Sequence, residues 1–445
     1  MGLVSREISK NTIWILVQKL VTLGGGFVVA SATARHLGPD DFGNIAYALS
    51  LFSLLAVTGH LGLGNLAIRE LVRDARGSGS ILGTIALTKF CGLVIGASVL
   101  LAIAALTYEE NQKLALVLLP FAIALLFRIS DIFDFWYQSL TRAKIITICY
   151  VVAFVIAAAF SFFGIGYGKG VLWFSFYTLV LNISVFCLFI YSYHSFSNGP
   201  AMNTWRFDFS RLKSIARPAA LVGLGTFFSL LSLKADQLML HWMIGSEEVA
   251  IYAVAAQLSE VWIFVPTALI ISVFPALISL RSSDPKRYSH ELQKIFCALC
   301  VMAYVLVGII CIVAKDVVLL FFGHAYYESI LILQIHVLGS IFLFMRLAFS
   351  RWILIEDALV FSLTTQFLGA LVNIVLNYIF IPAYGAEGAA LVTVFSYSIS
   401  SYWALLFSNK TRPIFLQMTT AFFNPYKGAK VLYSWFEITL QKAKK

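Results

Sequence analysis

Charged residues inside long apolar segments are the part of this sequence best suited to chemistry. Arg128, Asp131 and Asp134 follow one another at intervals of three within one apolar run, so on a helix they form one roughly continuous stripe. Lys19 and Lys89 lie in two further apolar runs. These cations outnumber what the two aspartates can neutralise. Together Lys19, Lys89 and Arg128 predict a cation-lined cavity that suits an anionic head group such as a pyrophosphate.

The same charges have a second interpretation. Lys19 can extend its ammonium group to the membrane surface, and the other cations can form internal ion pairs with Asp131 and Asp134. Charges at membrane depth are costly and usually face either a cavity or a partner. Both interpretations meet that condition, so the sequence leaves them open.

A second set of polar residues lies in the other half of the chain. Lys234 and Asp236 share one apolar run and Glu260 lies in the next. Lys234 and Glu260 fall at similar depth on consecutive antiparallel helices, which predicts an internal ion pair. The alternative is that an intramembrane carboxylate takes up H⁺ or Na⁺ and drives exchange. Asn373 and Asn377 are four residues apart on one helix face, which favours hydrogen bonds to a neighbouring helix over ligand contact.

Neither a metal site nor a catalytic site is predicted. The six cysteines all fall in apolar runs and are expected to be packing residues. The histidines in or at the ends of apolar runs, His60, His241 and His336, have no second ligand at metal spacing. No phosphate-binding Walker loop is present. We therefore expect no cofactor beyond a coupling ion and no enzyme activity.

These residues must be positioned by helices that cross a membrane. Hydrophobic residues make up 60% of the 445 residues, charged residues only 12%, and the mean hydropathy is +0.87, whereas a soluble domain carries roughly 25% charged residues. The apolar runs are continuous and near or above the ~20 residues that span a bilayer. The sequence predicts an all-α integral membrane protein with twelve helices, at residues 12–35, 43–68, 81–106, 114–139, 145–165, 171–193, 218–243, 249–280, 295–314, 327–350, 358–381 and 387–408.

The distribution of lysine and arginine predicts the orientation. One alternating set of loops and ends, which includes Arg346 and Arg351, holds 24 of the 32 cations, and the opposite set holds 4. Because basic residues concentrate on the cytoplasmic side, both termini are expected to be cytoplasmic. The net charge of +10 then requires no nucleic-acid partner.

Two pairs of turns indicate an internal repeat. Residues 37–46 and 244–253 share an order of apolar, glycine, small, acid and acid residues, 207 positions apart. Tyr167-Gly168 and Tyr384-Gly385 match at a separation of 217. The pattern predicts a parallel repeat of two six-helix lobes, 1–204 and 205–412, around a central cavity. Residues 413–445 are predicted to form a basic amphipathic helix on the cytoplasmic leaflet, with a solvated, disordered end as the alternative.

Several segments in a fixed order carry a family resemblance. They are residues 35–43 (RHLGPDDFG), 61–63 (LGL) with Arg69-Glu70, 236–240 (DQLML), 264–266 (FVP) with Phe274-Pro275, 320–326 (LFFGHAY), and 373–378 (NIVLNY) continuing through 381–390 (IPAYGAEGAA). In these segments the chain resembles the polysaccharide flippases, also called O-antigen or oligosaccharide-lipid translocases. They belong to the multidrug/oligosaccharidyl-lipid/polysaccharide exporter superfamily.

The resemblance implies a flippase in a bacterial inner membrane. Its substrate would be an undecaprenyl-pyrophosphate-linked oligosaccharide, such as an O-antigen repeat unit, and its partners would include other polysaccharide-assembly proteins. One alternative is a cation-coupled multidrug antiporter of the same fold, and a second is a membrane enzyme acting on lipid-linked sugars. The family's extruders use a carboxylate in the first helix, where this chain has Lys19 and no acid. Short outer loops and the missing catalytic constellation disfavour the enzyme.

Overall fold

The computed structural model describes the backbone of residues 2–60, 62–197 and 199–443, and the side chains of residues 11–60, 62–197 and 199–434. Leu61, which belongs to one of the matched segments, and Asn198 lie outside the described residues, as do the side chains of Arg6 and Lys10. Throughout the described backbone the elements are α-helices and short 3-10 helices, and none is a strand. The predicted all-α class is confirmed.

Contacts between Cα atoms divide the chain into two compact units, one up to Leu230 and one from Leu231 onward. The first unit contains the following α-helices and ends within the last of them: α1 (Gly2–Leu55), α2 (Val57–His60), α3 (Leu63–Arg73), α4 (Ser78–Thr107), α5 (Gln112–Phe127), α6 (Asp131–Ser139), α7 (Ala143–Gly166), α8 (Val171–Phe196) and α9 (Phe209–Met243). Its 3-10 helices are Arg128–Ser130 and Met202–Thr204.

The second unit contains the rest of α9 and eight further helices. These are α10 (Ser246–Glu260), α11 (Phe264–Ser283), α12 (Pro285–Phe321), α13 (Ser329–His336), α14 (Ser340–Ile355), α15 (Leu359–Ser401), α16 (Arg412–Phe423) and α17 (Pro425–Ala443). Its 3-10 helices are Val261–Ile263, His324–Tyr326, Val337–Gly339 and Trp403–Phe407.

Two glycines raise the number of crossings from ten to twelve. Ten segments of the described chain are long and apolar enough to cross a membrane. The two longest, Asn11–Arg73 and Leu359–Phe407, run through Gly38 with φ 77° and Gly385 with φ 53°. Only glycine adopts such a left-handed conformation without steric cost, so each long segment turns there into two spans. The chain is a multi-pass membrane protein with the twelve helices that the sequence predicts.

The division between the units falls inside α9, later than the predicted lobe boundary after residue 204. The first turns of α9 belong to the first unit because they pack on it. Arg211 forms an ion pair of 2.7 Å with Asp74, and Ile215 and Ala219 form a buried cluster with Leu63. The assignment of residues 1–204 and 205–412 as functional lobes stays a prediction.

The first part of the C-terminal segment packs against α12 in the second unit. Gln293 Nε2 donates to the carbonyl of Gln417 over 2.9 Å, and Tyr304 Oη donates to the carbonyl of Phe422 over 3.1 Å. Between Gln293 and Tyr304, α12 advances about 16 Å, so α16 extends along it. The side chains of residues 435–445, including Trp435, Phe436, Leu440 and Lys442, lie outside the described residues, and their predicted interfacial position stays a prediction.

Candidate functional site

The first unit brings Lys89 and Arg128 onto one carboxylate. Lys89 lies on α4, and a 3-10 turn that begins at Arg128 leads into α6, which Asp131 starts. Lys89 Nζ donates to Asp131 Oδ2 over 3.0 Å, and Arg128 Nη2 lies 3.4 Å from the same oxygen. The side chain of Lys89 is only 1% exposed, whereas that of Arg128 is 32% exposed. The cluster therefore has a buried cation and a more accessible one.

His60 completes this cluster, although the sequence analysis gave it no role. Its Nδ1 lies 3.1 Å from Lys89 Nζ and 3.5 Å from Asp131 Oδ2. Because a lysine ammonium has only donors, Nδ1 accepts the hydrogen bond from Lys89, which assigns the ring proton to Nε2. The histidine side chain is 37% exposed. An imidazole thus stands beside the buried ammonium group and reaches the surface of the cluster.

Close approach of two helices brings His60 within reach of Lys89. Thr58 Oγ1 donates to the carbonyl of Gly92 over 2.7 Å. A β-carbon at Gly92 would overlap the carbonyl oxygen of Thr58. The missing side chain at position 92 therefore allows α2 to lie against α4, one turn from Lys89.

The remaining predicted residues of this site have other surroundings. Asp134 accepts from Gln138 Nε2 at 3.0 Å and from Tyr150 Oη at 3.5 Å, and it lies within electrostatic range of Lys19. Lys19 is exposed and forms no ion pair within 4.0 Å among the described side chains. Lys89 and Arg128 each pair with Asp131, which is the arrangement that the internal ion-pair interpretation requires. Asp134 also lies within electrostatic range of Lys89, so with Lys19 the cluster has three cations for two carboxylates.

The second unit holds a buried polar centre around Asp236. Oδ1 accepts from Asn373 at 2.9 Å and from Asn377 at 2.5 Å, and Oδ2 accepts from Tyr252 and from Thr393, both at 2.5 Å. Asp236 is fully buried, and its four donors come from α10 and from both segments of α15. Four short donors stabilise a charge that hydrocarbon would otherwise disfavour. The two asparagines thus make hydrogen bonds between helices.

The predicted pairing of Lys234 with Glu260 stays a prediction. No ion pair within 4.0 Å joins either residue to an oppositely charged group in the described part of the chain, although the two act on each other electrostatically. Similar depth on neighbouring helices does not fix the direction in which each side chain points around its helix axis.

Two further findings concern the site residues. Among the described residues, no group of three or more histidine, cysteine or acidic side chains is arranged to hold a metal ion. Arg346, one of the cations assigned to the cytoplasmic ends, lies nine residues before the end of α14, because that helix continues to Ile355 and does not end at residue 350. Arg346 follows Arg128 by 218 residues, close to the repeat separation of 217, and this offset could have identified Arg346 as the counterpart of Arg128.

Comparison with known proteins matches the chain to one protein family and to several solved structures. Residues 8–281 match the model of a family described as polysaccharide biosynthesis protein. A stretch of 59 residues is 36% identical to the succinoglycan biosynthesis transport protein ExoT of Rhizobium meliloti (strain 1021). This stretch covers 13% of the chain and 12% of that relative.

Solved transporter structures share the fold at low sequence identity. An inward-facing multidrug resistance MATE family transporter of the MOP superfamily matches with a TM-score of 0.70 and 14% identity, over 92% of this chain and 99% of that chain. The lipid II flippase MurJ in an inward closed conformation matches with a TM-score of 0.68 and 14% identity, over 98% and 99%. A MOP superfamily transporter from Pyrococcus furiosus matches with a TM-score of 0.62 and 16% identity, over 92% and 95%.

Proposed function

Because the chain belongs to the polysaccharide biosynthesis protein family, we propose that it is a flippase for a lipid-linked oligosaccharide. It moves an undecaprenyl-pyrophosphate-linked repeat unit from the cytoplasmic to the outer leaflet by alternating access, as a transporter and not as an enzyme. The solved transporters of the same fold support this class of mechanism.

The observation that carries the proposal is that two cations share one carboxylate. Lys89 and Arg128 both face the Oδ2 atom of this one carboxylate. A pyrophosphate brings more negative charge and more acceptor oxygens than a single carboxylate, so it competes for both cations. Charge-assisted hydrogen bonds to phosphate are among the strongest that proteins make. Asp131 is the internal anion of this cluster, and the pyrophosphate of the substrate replaces it.

Geometry also predicts the order of this exchange. Arg128 is the more exposed cation and its contact with Asp131 is the longer one, 3.4 Å against 3.0 Å for Lys89. The arriving anion therefore meets Arg128 first, through a guanidinium group that can bind two phosphate oxygens at once. Lys89 keeps its hydrogen bonds to Asp131 and His60 until the anion has bound Arg128. Lys19, exposed on α1, adds attraction at longer range.

We place the coupling ion at Asp236. Both hydroxyls that donate to its Oδ2 atom, those of Tyr252 and Thr393, can also accept a hydrogen bond. Protonation of Oδ2 can therefore be accommodated by reversing one of these bonds. The buried Oδ1 of Asn377 has no hydrogen-bond partner, which leaves a further oxygen for Na⁺. The centre joins α9, α10 and α15, so a change in its charge alters contacts among three helices.

The decisive experiment measures outer-leaflet delivery in cells or proteoliposomes with a membrane-impermeant reagent that labels the sugar. Arg128→Ala, at wild-type levels in the membrane, should abolish delivery, because the accessible cation is lost. Lys315→Ala, which removes an exposed cation at the opposite end of α12 from the predicted cytoplasmic loop, should retain it. Full delivery by Arg128→Ala would refute the assignment of Arg128 as a substrate-binding residue. Efflux of a lipophilic cation without sugar-lipid delivery would favour the multidrug antiporter.

A further inference from the structure

Arg346 is a cation on α14 of the second unit, and its contacts with the described residues include no acidic partner. It lies nine residues before the end of α14 at Ile355, about 13 Å along the helix. Nη1 donates to Thr365 Oγ1 over 3.1 Å and to the carbonyl of Ser400 over 3.0 Å. Nη2 lies 3.4 Å from Ser362 Oγ. All three acceptors are neutral, and none of the described carboxylates lies within 4.0 Å.

A structural role alone does not account for the charge. A cation inside a membrane protein normally pairs with an anion or faces a water-filled cavity. Neutral oxygens can be joined by a neutral amide such as glutamine at a much lower desolvation cost. The contacts within the folded chain therefore do not require the positive charge of Arg346.

One edge of the guanidinium group is available to a ligand. The Nε–H and one Nη2–H form the side that binds two oxygens of a carboxylate or phosphate together. Nε makes no hydrogen bond to a described residue, and it is not among the buried unpaired atoms, whereas Nε of Arg351 is. Ser362 Oγ accepts from Arg346 and from Gln366, so its own hydrogen remains free to donate to an anion beside this edge.

The internal repeat relates Arg346 to Arg128. Gly168 and Gly385 both have positive φ and are 217 residues apart. The starts of α5 at Gln112 and α13 at Ser329 have the same separation. Arg346 follows Arg128 by 218 residues, so the two arginines occupy corresponding depths in their halves.

The second half of the repeat lacks the carboxylate that pairs with the arginine in the first half. Asp131 follows Arg128 by three residues, whereas the residue three after Arg346 is Phe349. The guanidinium group of Arg346 lies 5.3 Å from the centre of the Phe349 ring. This aromatic face stabilises a cation but does not neutralise it. Arg346 is thus ready for an external anion without a carboxylate to displace.

We propose that Arg346 is a second oxyanion-binding residue, which binds an anionic group of the transported lipid through its Nε–Nη2 edge. The inference rests on the proposed flippase function and adds a substrate contact in the second unit. Two parts of such a lipid supply this chemistry: the phosphate of the carrier and the carboxylate of an acidic sugar.

The test measures binding of three lipids to the purified full-length protein in detergent. The probes are a polyprenyl pyrophosphate without sugar, one that carries a neutral hexose, and one that carries a uronic acid. Arg346→Gln should weaken binding by about tenfold or more, the effect of losing a charge-assisted hydrogen bond. Weakening for all three lipids identifies the phosphate as the ligand, and weakening for the uronate alone identifies the sugar carboxylate.

Two further variants separate binding from folding. Arg346→Lys keeps the charge but not the bidentate edge, so it should retain wild-type thermal stability and bind with intermediate affinity. Lys315→Gln removes an exposed cation and should bind as the wild type. Wild-type affinity of Arg346→Gln and Arg346→Lys for every probe overturns the inference. If the wild type itself binds none of the three lipids, the proposed function fails instead.

Discussion

Lys89 Nζ lies 3.0 Å from Asp131 Oδ2, and this contact joins α4 to α6 in the interior of the first unit. The lysine is 1% exposed and the aspartate side chain 11% exposed. Buried ion pairs of this kind add little net stability, but removing one partner is costly because it leaves the other charge unpaired. The pair is therefore a sensitive point for testing both stability and anion binding.

Asp131→Asn should destabilise the protein by about 3 kcal/mol, because Lys89 and Arg128 lose their shared counter-ion. Thermal unfolding of the detergent-purified protein measures the effect. Inorganic pyrophosphate should raise the unfolding midpoint of this variant more than that of the wild type, since the ligand no longer competes with a carboxylate. Asp134→Asn is the matched control, because Asp134 accepts from Gln138 and Tyr150 and forms no ion pair. Equal stability of the two variants would contradict the role given to Asp131.

Gly92→Ala should lower stability by about 1–3 kcal/mol, the usual cost of overpacking, and should reduce transport. The new β-carbon would overlap the backbone of Thr58, so α2 must move and carry His60 away from Lys89. Gly26→Ala serves as control, because a β-carbon there meets no other atom within 4 Å. The control should be neutral or slightly stabilising. If both variants transport at the wild-type rate, the position of His60 is unimportant to the site.

The helices were predictable because lipid imposes a simple rule on sequence: each crossing needs about twenty apolar residues. Glycine at positions 38 and 385 then marked the turns within the two longest helical segments, where a positive φ is required. The contacts of the site were less predictable. Whether Lys89 meets Asp131 depends on the rotation and spacing of separate helices, which Gly92 and Thr58 set through contacts that no local pattern reveals.

Three site assignments show this limit. The sequence assigns His60 no role, because it has no metal-binding partner there, yet in the structure it contacts Lys89 of a neighbouring helix. Lys234 and Glu260 share a predicted depth, but depth alone does not fix a contact between their side chains. The charge rule assigns Arg346 to a cytoplasmic end, since it counts cations near helix ends without fixing where a helix ends. For these residues, packing between helices decides the environment.

Asp236→Asn should uncouple transport from its driving ion while leaving the protein folded. An asparagine offers one oxygen and an NH₂ group, so two of the four donors around position 236 lose an acceptor; we expect a loss of about 1–3 kcal/mol. Sugar-lipid delivery by proteoliposomes should lose its dependence on an imposed H⁺ or Na⁺ gradient. Ser396→Ala is the control, because the buried Ser396 Oγ has no hydrogen-bond partner. Retained gradient dependence in Asp236→Asn would place the coupling ion elsewhere.

The contact between Asp74 and Arg211 should make the attachment of α9 to the first unit dependent on pH. Asp74 accepts from Arg211 Nη2 at 2.7 Å and from the backbone N–H of Gly77 at 2.8 Å, and these hydrogen bonds, the one from Arg211 foremost, lower the pKa of Asp74 below its ordinary value of 3.8. A carboxyl group with a lowered pKa stabilises the folded state above the ordinary pKa, and this contribution is lost as the pH falls through the pKa of the folded state.

A double-mutant cycle of Asp74→Asn and Arg211→Gln, followed by thermal unfolding, should therefore give a coupling free energy that is constant above about pH 5 and declines below about pH 4. A coupling that grows on acidification would contradict the ion pair, and Asp74→Asn alone should remove this part of the pH dependence.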